Sequence, residues 1–371
     1  MKPFPCKILY AASTDGHLRS FHLPYLAALR DMGCTVTAAG AGDGHGLPEG
    51  IGFVSLPFTK SFVSPENFRA ARAVAALQKK EHFDLVLVHT SLAAFFTRLG
   101  IVLAGKRGVR VVNTVHGYLF DRRSSLLRRT GMLLAEKILA GATDDILTMN
   151  AQDTTIARRH RLCRGRTTEI PGMGVPLGRY HPVTEEQRRA ARKELHLPED
   201  AFVLLCAAEF SPRKNQAMLI RSLALLPESV MLLLPGDGAL REDCEALAGE
   251  LGVEERVRFP GHTDTLPYLA AADLCVSASR SEGLPFHVME AMGCALPSVL
   301  SRVKGHEDLL PAEQAGRLFA FNDEKGCAEA VRYFAGNAEA RRAAGEAAYK
   351  EVQKYDLNAV MPVVLREFLG D

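Results

Sequence analysis

Two glutamates, Glu282 and Glu290, frame the segment EGLPFHVME, and a cationic pair, Arg213 and Lys214, stands in EFSPRKN. Positive side chains answer phosphate, and carboxylates accept hydrogen bonds from hydroxyls, so together they suit a ligand that is both anionic and a polyol. Ser279, Ser281 and Glu282 fall between a strand and a helix, Gly283 permits close approach, and Pro285 opens the helix. First-turn N–H groups near Phe286 and His287 can meet a phosphate, with Leu284 beside them. Glu282 is then placed for sugar hydroxyls and Glu290 for ribose hydroxyls. A pair of acids also fits glycoside hydrolysis, but that reaction leaves the cations without work.

Further candidates are weaker. Pro212 predicts a helix start after Ser211, with Arg213 and Lys214 in its first turn. Cations oppose the dipole there, which points to a ligand rather than helix stability, and Asn215 adds a polar group. Gly236, Asp237 and Gly238 read as a tight turn that either approaches a ligand backbone-first or is simply a turn. Gly261 and His262 offer backbone against which a base can lie. His116 ends the run VVNTVHG and can donate to a sugar hydroxyl or a phosphate. His89 ends its own strand in the same way, and His17 and His22 flank the first turn, so position alone does not choose among the four. There is no GxGxxG after the first strand, no GK[ST] loop, no HExxH and no GxSxG elbow. Dehydrogenase, P-loop, zinc-hydrolase and serine-hydrolase chemistry therefore lack their motifs. Asp15, Asp237, Asp273 and Asp308 form no clear metal cluster, and no metal site is expected.

Short apolar runs separated by helical stretches must position these groups. KILYAAS (7–13), TVTAAG (35–40), LVLVHT (85–90), VRVVNTVHG (109–117), DDILTMN (144–150) and TTEIPGMGV (167–175) predict the strands of a first parallel α/β domain. Helices are expected near 21–31, 65–80, 124–140 and 152–159. After a Pro/Gly-containing join near 172–183 the pattern restarts with AFVLLCAAEF (201–210), VMLLLPGDG (230–238), RVRFPGH (256–262), ADLCVSA (272–278), ALPSVLS (295–301) and RLFAF (317–321). Helices close the chain over 323–369. Such sheets bind ligands beyond the C-terminal ends of their strands, where the candidates lie.

Composition bounds the rest. With 47% hydrophobic and 24% charged residues the chain is ordinary for a globular protein, and 371 residues allow two cores. No apolar run approaches the ~18 residues of a membrane span. MKPFPCKILYAAS is read as leading into the first core strand and not as a signal peptide. Eight cysteines without C-x-x-C spacing, Cys206, Cys275 and Cys294 among apolar neighbours, indicate buried thiols in a reducing compartment. Residues 1–180 carry 24 Lys+Arg against 13 Asp+Glu, so the first half is basic and the remainder acidic. Arg122, Arg123, Arg128 and Arg129 beside Leu126, Leu127, Leu133 and Leu134 fit an anionic membrane surface, or a solvated helix. Arg158, Arg159, Arg161, Arg164 and Arg166 form a second basic cluster, but no stacking aromatics accompany it, and nucleic acid is not expected.

Through EFSPRKN, PGDGALRE, FPGHTDTLPYLAAADLCVSASRSEGLPFHVMEAM and SRVKGHEDLL, the chain resembles the retaining GT-B glycosyltransferases of family 4, glycosyltransferase group 1, over almost its whole length. TDGHLRSFHLPYLAAL and HGYLF are similar to bacterial transferases that extend lipid-linked precursors of capsular or exopolysaccharide. The resemblance implies two Rossmann-like lobes facing a deep cleft: an acceptor-binding domain over 1–178, a nucleotide-sugar-binding domain over 179–353, and a C-terminal helix over 354–371 crossing back. It implies that Arg213 and Lys214 hold the donor diphosphate and that Glu290 binds the ribose. Glu282 contacts the transferred sugar and His116 its 6-hydroxyl, both counted with the cations as catalytic. Gly283, Leu284, Pro285 and Phe286 line sugar and phosphate, Gly236 and His262 lie near the nucleotide, and Asp15 and Gly16 sit in a first-strand loop where donor and acceptor meet. The implied reaction moves a hexose or N-acetylhexosamine from a UDP-sugar to an undecaprenyl-diphosphate-linked saccharide with retention, without an essential metal or other cofactor. The enzyme is expected in the cytoplasm, peripheral on the inner face of the cell membrane, with other polysaccharide-assembly enzymes as further partners. Two departures stand out: GVPLGRY carries Pro176 where the family often has G-[IV]-D, and PSVLSRVKG places Arg302 and Lys304 in the donor loop. A non-hydrolysing UDP-sugar epimerase and a catalytically silent nucleotide-sugar-binding protein are the alternative readings.

Overall fold

The computed structural model describes residues 6–106, 108–121 and 123–370. Arg122, one member of the basic group above, lies outside them. The chain divides into two compact units, one of residues 1–174 with 358–371 and the other of residues 175–357.

The first unit alternates strands and helices: β1 (Lys7–Thr14), α1 (Asp15–Phe21), α2 (Leu23–Asp31), β2 (Thr35–Ala41), β3 (Gly52–Ser55), α3 (Pro65–Glu81), β4 (Leu85–His89), α4 (Ser91–Leu103), β5 (Arg110–Val115), α5 (Leu126–Ile138), β6 (Asp145–Thr148), α6 (Ala151–His160) and β7 (Thr167–Glu169). Its seven strands are all parallel, in the order β3-β2-β1-β4-β5-β6-β7. β4 is buried along its whole length because helices cover both faces. Leu9, Val86, Val88 and Val111 pack against Ala71 and Val74 of α3 and Phe96 of α4.

The second unit contains α7 (Glu185–Glu194), β8 (Phe202–Leu205), α8 (Gln216–Ala224), β9 (Val230–Leu233), α9 (Arg241–Glu250), β10 (Val257–Arg258), α10 (Leu266–Ala271), β11 (Leu274–Ser277), α11 (Phe286–Gly293), β12 (Ser298–Ser301), α12 (His306–Leu309), β13 (Gly316–Phe319), α13 (Glu324–Gly336) and α14 (Ala338–Val352). Its six strands are again parallel, in the order β10-β9-β8-β11-β12-β13. Leu204, Leu232, Val276 and Val299 pack with Ile220, Leu223, Val331 and Phe334. The last helix, α15 (Leu357–Leu369), is almost wholly in the first unit, where Arg110 donates to the carbonyls of Glu367 and Phe368.

In each sheet the winding reverses once, between β1 and β4 and between β8 and β11. That switch point opens a crevice beyond the strands' C-terminal ends. All eight cysteines are free, and six are buried. No helix of the described residues is long and apolar enough to cross a membrane.

Candidate active site

The second unit's switch point gathers the loops after β8 and β11. Glu282 is buried there and accepts from Arg213 Nη1 at 2.6 Å and from Lys214 Nζ at 2.7 Å. Burial alone would raise its pKa, but Lys214 and Arg213 outweigh it and hold the carboxyl well below the ordinary range. Two cations against one carboxylate leave one formal positive charge. The Lys214 side chain is 11% exposed and that of Arg213 47%, so Arg213 is the member with a face towards solvent.

The cations do not ride on a helix, contrary to the expectation from Pro212. Ser211 accepts from the amides of Lys214 and Asn215, closing an isolated turn, and Asn215 at φ 57° is left-handed, so α8 starts only at Gln216. Asn215 then reaches Ala278 O beyond β11 at 3.2 Å, and Arg280 N donates to Arg213 O at 2.8 Å. These bonds tie the two loops together and fix the pair opposite Glu282.

Phe286 is the first residue of α11 and Pro285 caps it, one position earlier in the helix frame than expected. Gly283, Leu284 and Pro285 are buried, and Gly305 packs on them so closely that a Cβ there would lie 2.8 Å from Gly283 O. Glu290, one helical turn on, is half-buried and accepts from Tyr180 Oη at 3.1 Å. Burial raises its pKa, partly offset by the Tyr180 hydrogen bond. Two histidines unassigned from sequence complete the cluster. Buried His306 donates its Nδ1–H to Ser301 O at 2.9 Å, and both His287 and His306 keep Nε2 buried without a hydrogen-bond partner. Burial depresses both, His306 to about 4, so they remain neutral beside Glu282.

The PGDG segment corrects another expectation, since it is no tight turn. Ala208 N donates to Pro235 O and Phe210 N to Asp237 O, so 235–238 continues the β8–β9 pairing as extended chain. A Cβ on Gly236 (φ 144°) would sit 2.1 Å from Ala208 O, so the neighbouring backbone demands this glycine. Gly236 N also donates to Gly261 O at 2.8 Å, which sets exposed His262 beside it at the β9–β10 edge.

The first unit's switch point is different. Asp15 and Gly16 are not in a loop: Thr14 Oγ1 accepts from His17 N and caps α1. The Asp15 carboxylate is taken by Arg19 at 3.0 Å and by the amides of Asp43 and Gly44, each at 3.2 Å. It braces the 42–44 loop, where Gly42 (φ 126°) leaves it room. His116 follows β5 half-buried, its Nε2 3.1 Å from Nδ1 of His89, with His17 and His22 against it. All four rings are depressed by burial, and His22, His89 and His116 also by neighbouring histidines.

The basic groups are partly spent within the fold. Arg158 donates to Thr167 O, Arg164 faces Asp144 at 3.8 Å and Arg166 faces Glu367 at 3.9 Å. In the donor loop, Arg302 pairs with Glu313 at 2.7 Å while Lys304 is buried.

Comparison with known proteins bears on both units. Residues 187–351 match the family described as Glycosyl transferases group 1, and residues 23–172 match the Glycosyl transferase 4-like domain. The chain is 30% identical over 353 residues to the putative glycosyltransferase EpsD of Bacillus subtilis, covering 94% of this chain and 92% of that protein. It is 28% identical over 255 residues to an Escherichia coli UDP-Gal:alpha-D-GlcNAc-diphosphoundecaprenol alpha-1,3-galactosyltransferase, covering 67% of this chain and 65% of that protein. Among solved structures, Anabaena Alr3699/HepE in complex with UDP and glucose superposes with a TM-score of 0.79 at 20% identity, over 99% of this chain and 100% of that one. WaaG, a glycosyltransferase of lipopolysaccharide biosynthesis, gives 0.78 at 18% identity, over 98% and 100%. These likenesses show the two-unit GT-B fold.

Proposed function

The chain belongs to the group 1 glycosyltransferases and is a glycosyltransferase; from that premise we propose that it transfers a hexose or N-acetylhexosamine from a UDP-sugar to a hydroxyl of an undecaprenyl-diphosphate-linked saccharide, with retention. The observation that carries the donor half is the Arg213–Glu282–Lys214 cluster at the β8/β11 switch point, with Glu290 on α11, the helix that follows Glu282. Its residual positive charge and the N–H groups in the first turn of α11 suit a diphosphate. Glu290 takes the ribose hydroxyls, and Tyr180 orients it. A UDP-bound neighbour of the same fold and the lipid-linked substrate in the Escherichia coli relative's name support the choice of donor and acceptor.

In the proposed reaction the C1–O bond to the diphosphate breaks and its electron pair stays on the phosphate oxygen. The acceptor hydroxyl forms its bond to C1 from the same face, and its proton passes to that oxygen. Glu282 supports the sugar as positive charge develops at C1, while Arg213, Lys214 and the α11 N-terminus stabilise the leaving diphosphate without a required metal. His116, neutral, meets the sugar's 6-hydroxyl. Peripheral binding to an anionic membrane falls to α5, where Leu126, Leu127, Leu134 and Ile138 are exposed next to Arg128 and Arg129.

A panel of UDP-sugars offered with lipid-linked acceptors, read by product mass and anomeric configuration, tests this. One donor should give a retained glycoside. An inverted product contradicts the mechanism, and UDP binding without transfer to any acceptor contradicts the activity.

A further inference from the structure

Four histidines from three separate stretches of the chain converge at the first unit's switch point. His17 and His22 come from α1 and its end, His89 from the end of β4, and His116 from just past β5. Ring nitrogens of His17, His22 and His116 lie within 4.8 Å of one another. Nε2 of His17, of His22 and of His89 are buried without a hydrogen-bond partner, and His22 and His89 are fully buried. Orphaned buried nitrogens are costly, and two of these, on His17 and His22, belong to the converging group and call for an occupant.

We propose that His17, His22 and His116 form a binding site for a divalent transition-metal ion of the zinc class. The donor set is suited to it, because three imidazoles from α1, its end and the end of β5 converge, and imidazole is a ligand that this class of ion takes readily. The surrounding bonds orient the ligands. Tyr10 Oη lies 2.8 Å from His22 Nδ1, so an Nδ1–H donated to that oxygen leaves the Nε2 lone pair for the ion. His89 braces His116 from behind at 3.1 Å. Zn–N bonds of about 2.0–2.1 Å set tetrahedral ligand nitrogens roughly 3.4 Å apart. Side-chain rotation of half-buried His17 and His116 closes that gap, and the fourth position stays open.

The consequence follows from His116. An ion that takes its lone pair removes it from the donor sugar, so metal occupancy inhibits transfer rather than assisting it. The same ion fastens α1 to the end of β5.

The test needs neither donor nor acceptor, so its outcome is separate from that of the transfer reading. Chelator-treated full-length protein is titrated with Zn²⁺ by calorimetry and with Co²⁺ by visible absorption. One equivalent should bind, with a nitrogen-ligand cobalt spectrum. His17→Ala should weaken binding by at least about tenfold, while His262→Ala, at an exposed site in the other unit, leaves it unchanged. His17 is half-exposed, so this variant avoids the folding risk of changing fully buried His22. Thiols are the rival ligands, since Cys6 and Cys34 sulfurs lie 3.3 Å apart. A thiolate-to-cobalt band abolished by Cys6→Ser, unchanged affinity in His17→Ala, or no saturable binding would each overturn the proposal.

Discussion

The two switch points occupy equivalent places in two similarly wound sheets, yet their electrostatics are opposite in kind. In the second unit an ionised carboxylate is held between two cations, and the cluster keeps a net positive charge. In the first unit the gathered groups are imidazoles, all driven neutral by burial. The fold supplies a crevice in both cases, and the residues on the loops decide what it can hold. A charged cluster suits a charged diphosphate. Neutral donors and acceptors suit hydroxyls, or a metal ion.

The strongest way to sharpen that contrast is to neutralise Glu282 while keeping its shape. Glu282→Gln should lower turnover by about 10²–10³-fold, the scale of losing one group aimed at the transition state. UDP affinity should hold or rise, because Arg213 and Lys214 lose their competitor. Steady-state kinetics beside UDP calorimetry checks this, and equal losses in both would remove the sugar role.

Next in size is a test of whether burial alone makes an ion pair functional. In the first unit Arg98, with a fully buried side chain, pairs with Glu136 at 2.8 Å and also donates to Thr143 and Ala94 O. Arg98→Met should destabilise that unit by about 3–5 kcal/mol by stranding a buried carboxylate, measured by denaturant unfolding. Activity per folded molecule should persist. A variant that stays stable but inactive would move function onto this pair.

The pH dependence separates the two glutamates. Burial raises the folded pKa of Glu290, so it takes up a proton as pH falls before an ordinary carboxylate does. Donor affinity that needs its charge should therefore drop at the upper edge of the carboxylate range. Because the folded form is the more easily protonated, this proton favours the fold. Glu282, depressed instead, keeps its ion pair through that window, and its contribution to stability is lost only as pH falls far lower. UDP-affinity profiles of the parent and Glu290→Gln distinguish these cases: the step should vanish in the variant, with about a fewfold loss at neutral pH.

The strands were legible because each is a short apolar run buried on both faces, as β4 and β9 are. β3 escaped notice because it is an edge strand of four residues with no fully buried side chain and a glycine at its start. Helix α1 hid behind Asp15 and Gly16, which look like turn residues, although Thr14 caps the helix they begin. Arg213 and Lys214 were recognisable as a pair, but Asn215's left-handed backbone, which ends their turn before α8, leaves little trace in composition. Tyr180 lies 110 residues from its partner Glu290. The four histidines meet because β1, β4 and β5 are neighbours in the sheet, a long-range pairing that local pattern does not reveal.

The central claim is that the second unit alone grips the nucleotide diphosphate. UDP calorimetry on the parent, the Arg213→Ala/Lys214→Ala double variant and His116→Ala addresses it most directly. The account predicts a loss of about tenfold or more for the double variant, since charge-assisted hydrogen bonds contribute about 1.5–3 kcal/mol. It predicts an unchanged Kd for His116→Ala, because UDP carries no transferred sugar. A comparable loss in His116→Ala, or none in the double variant, would contradict it.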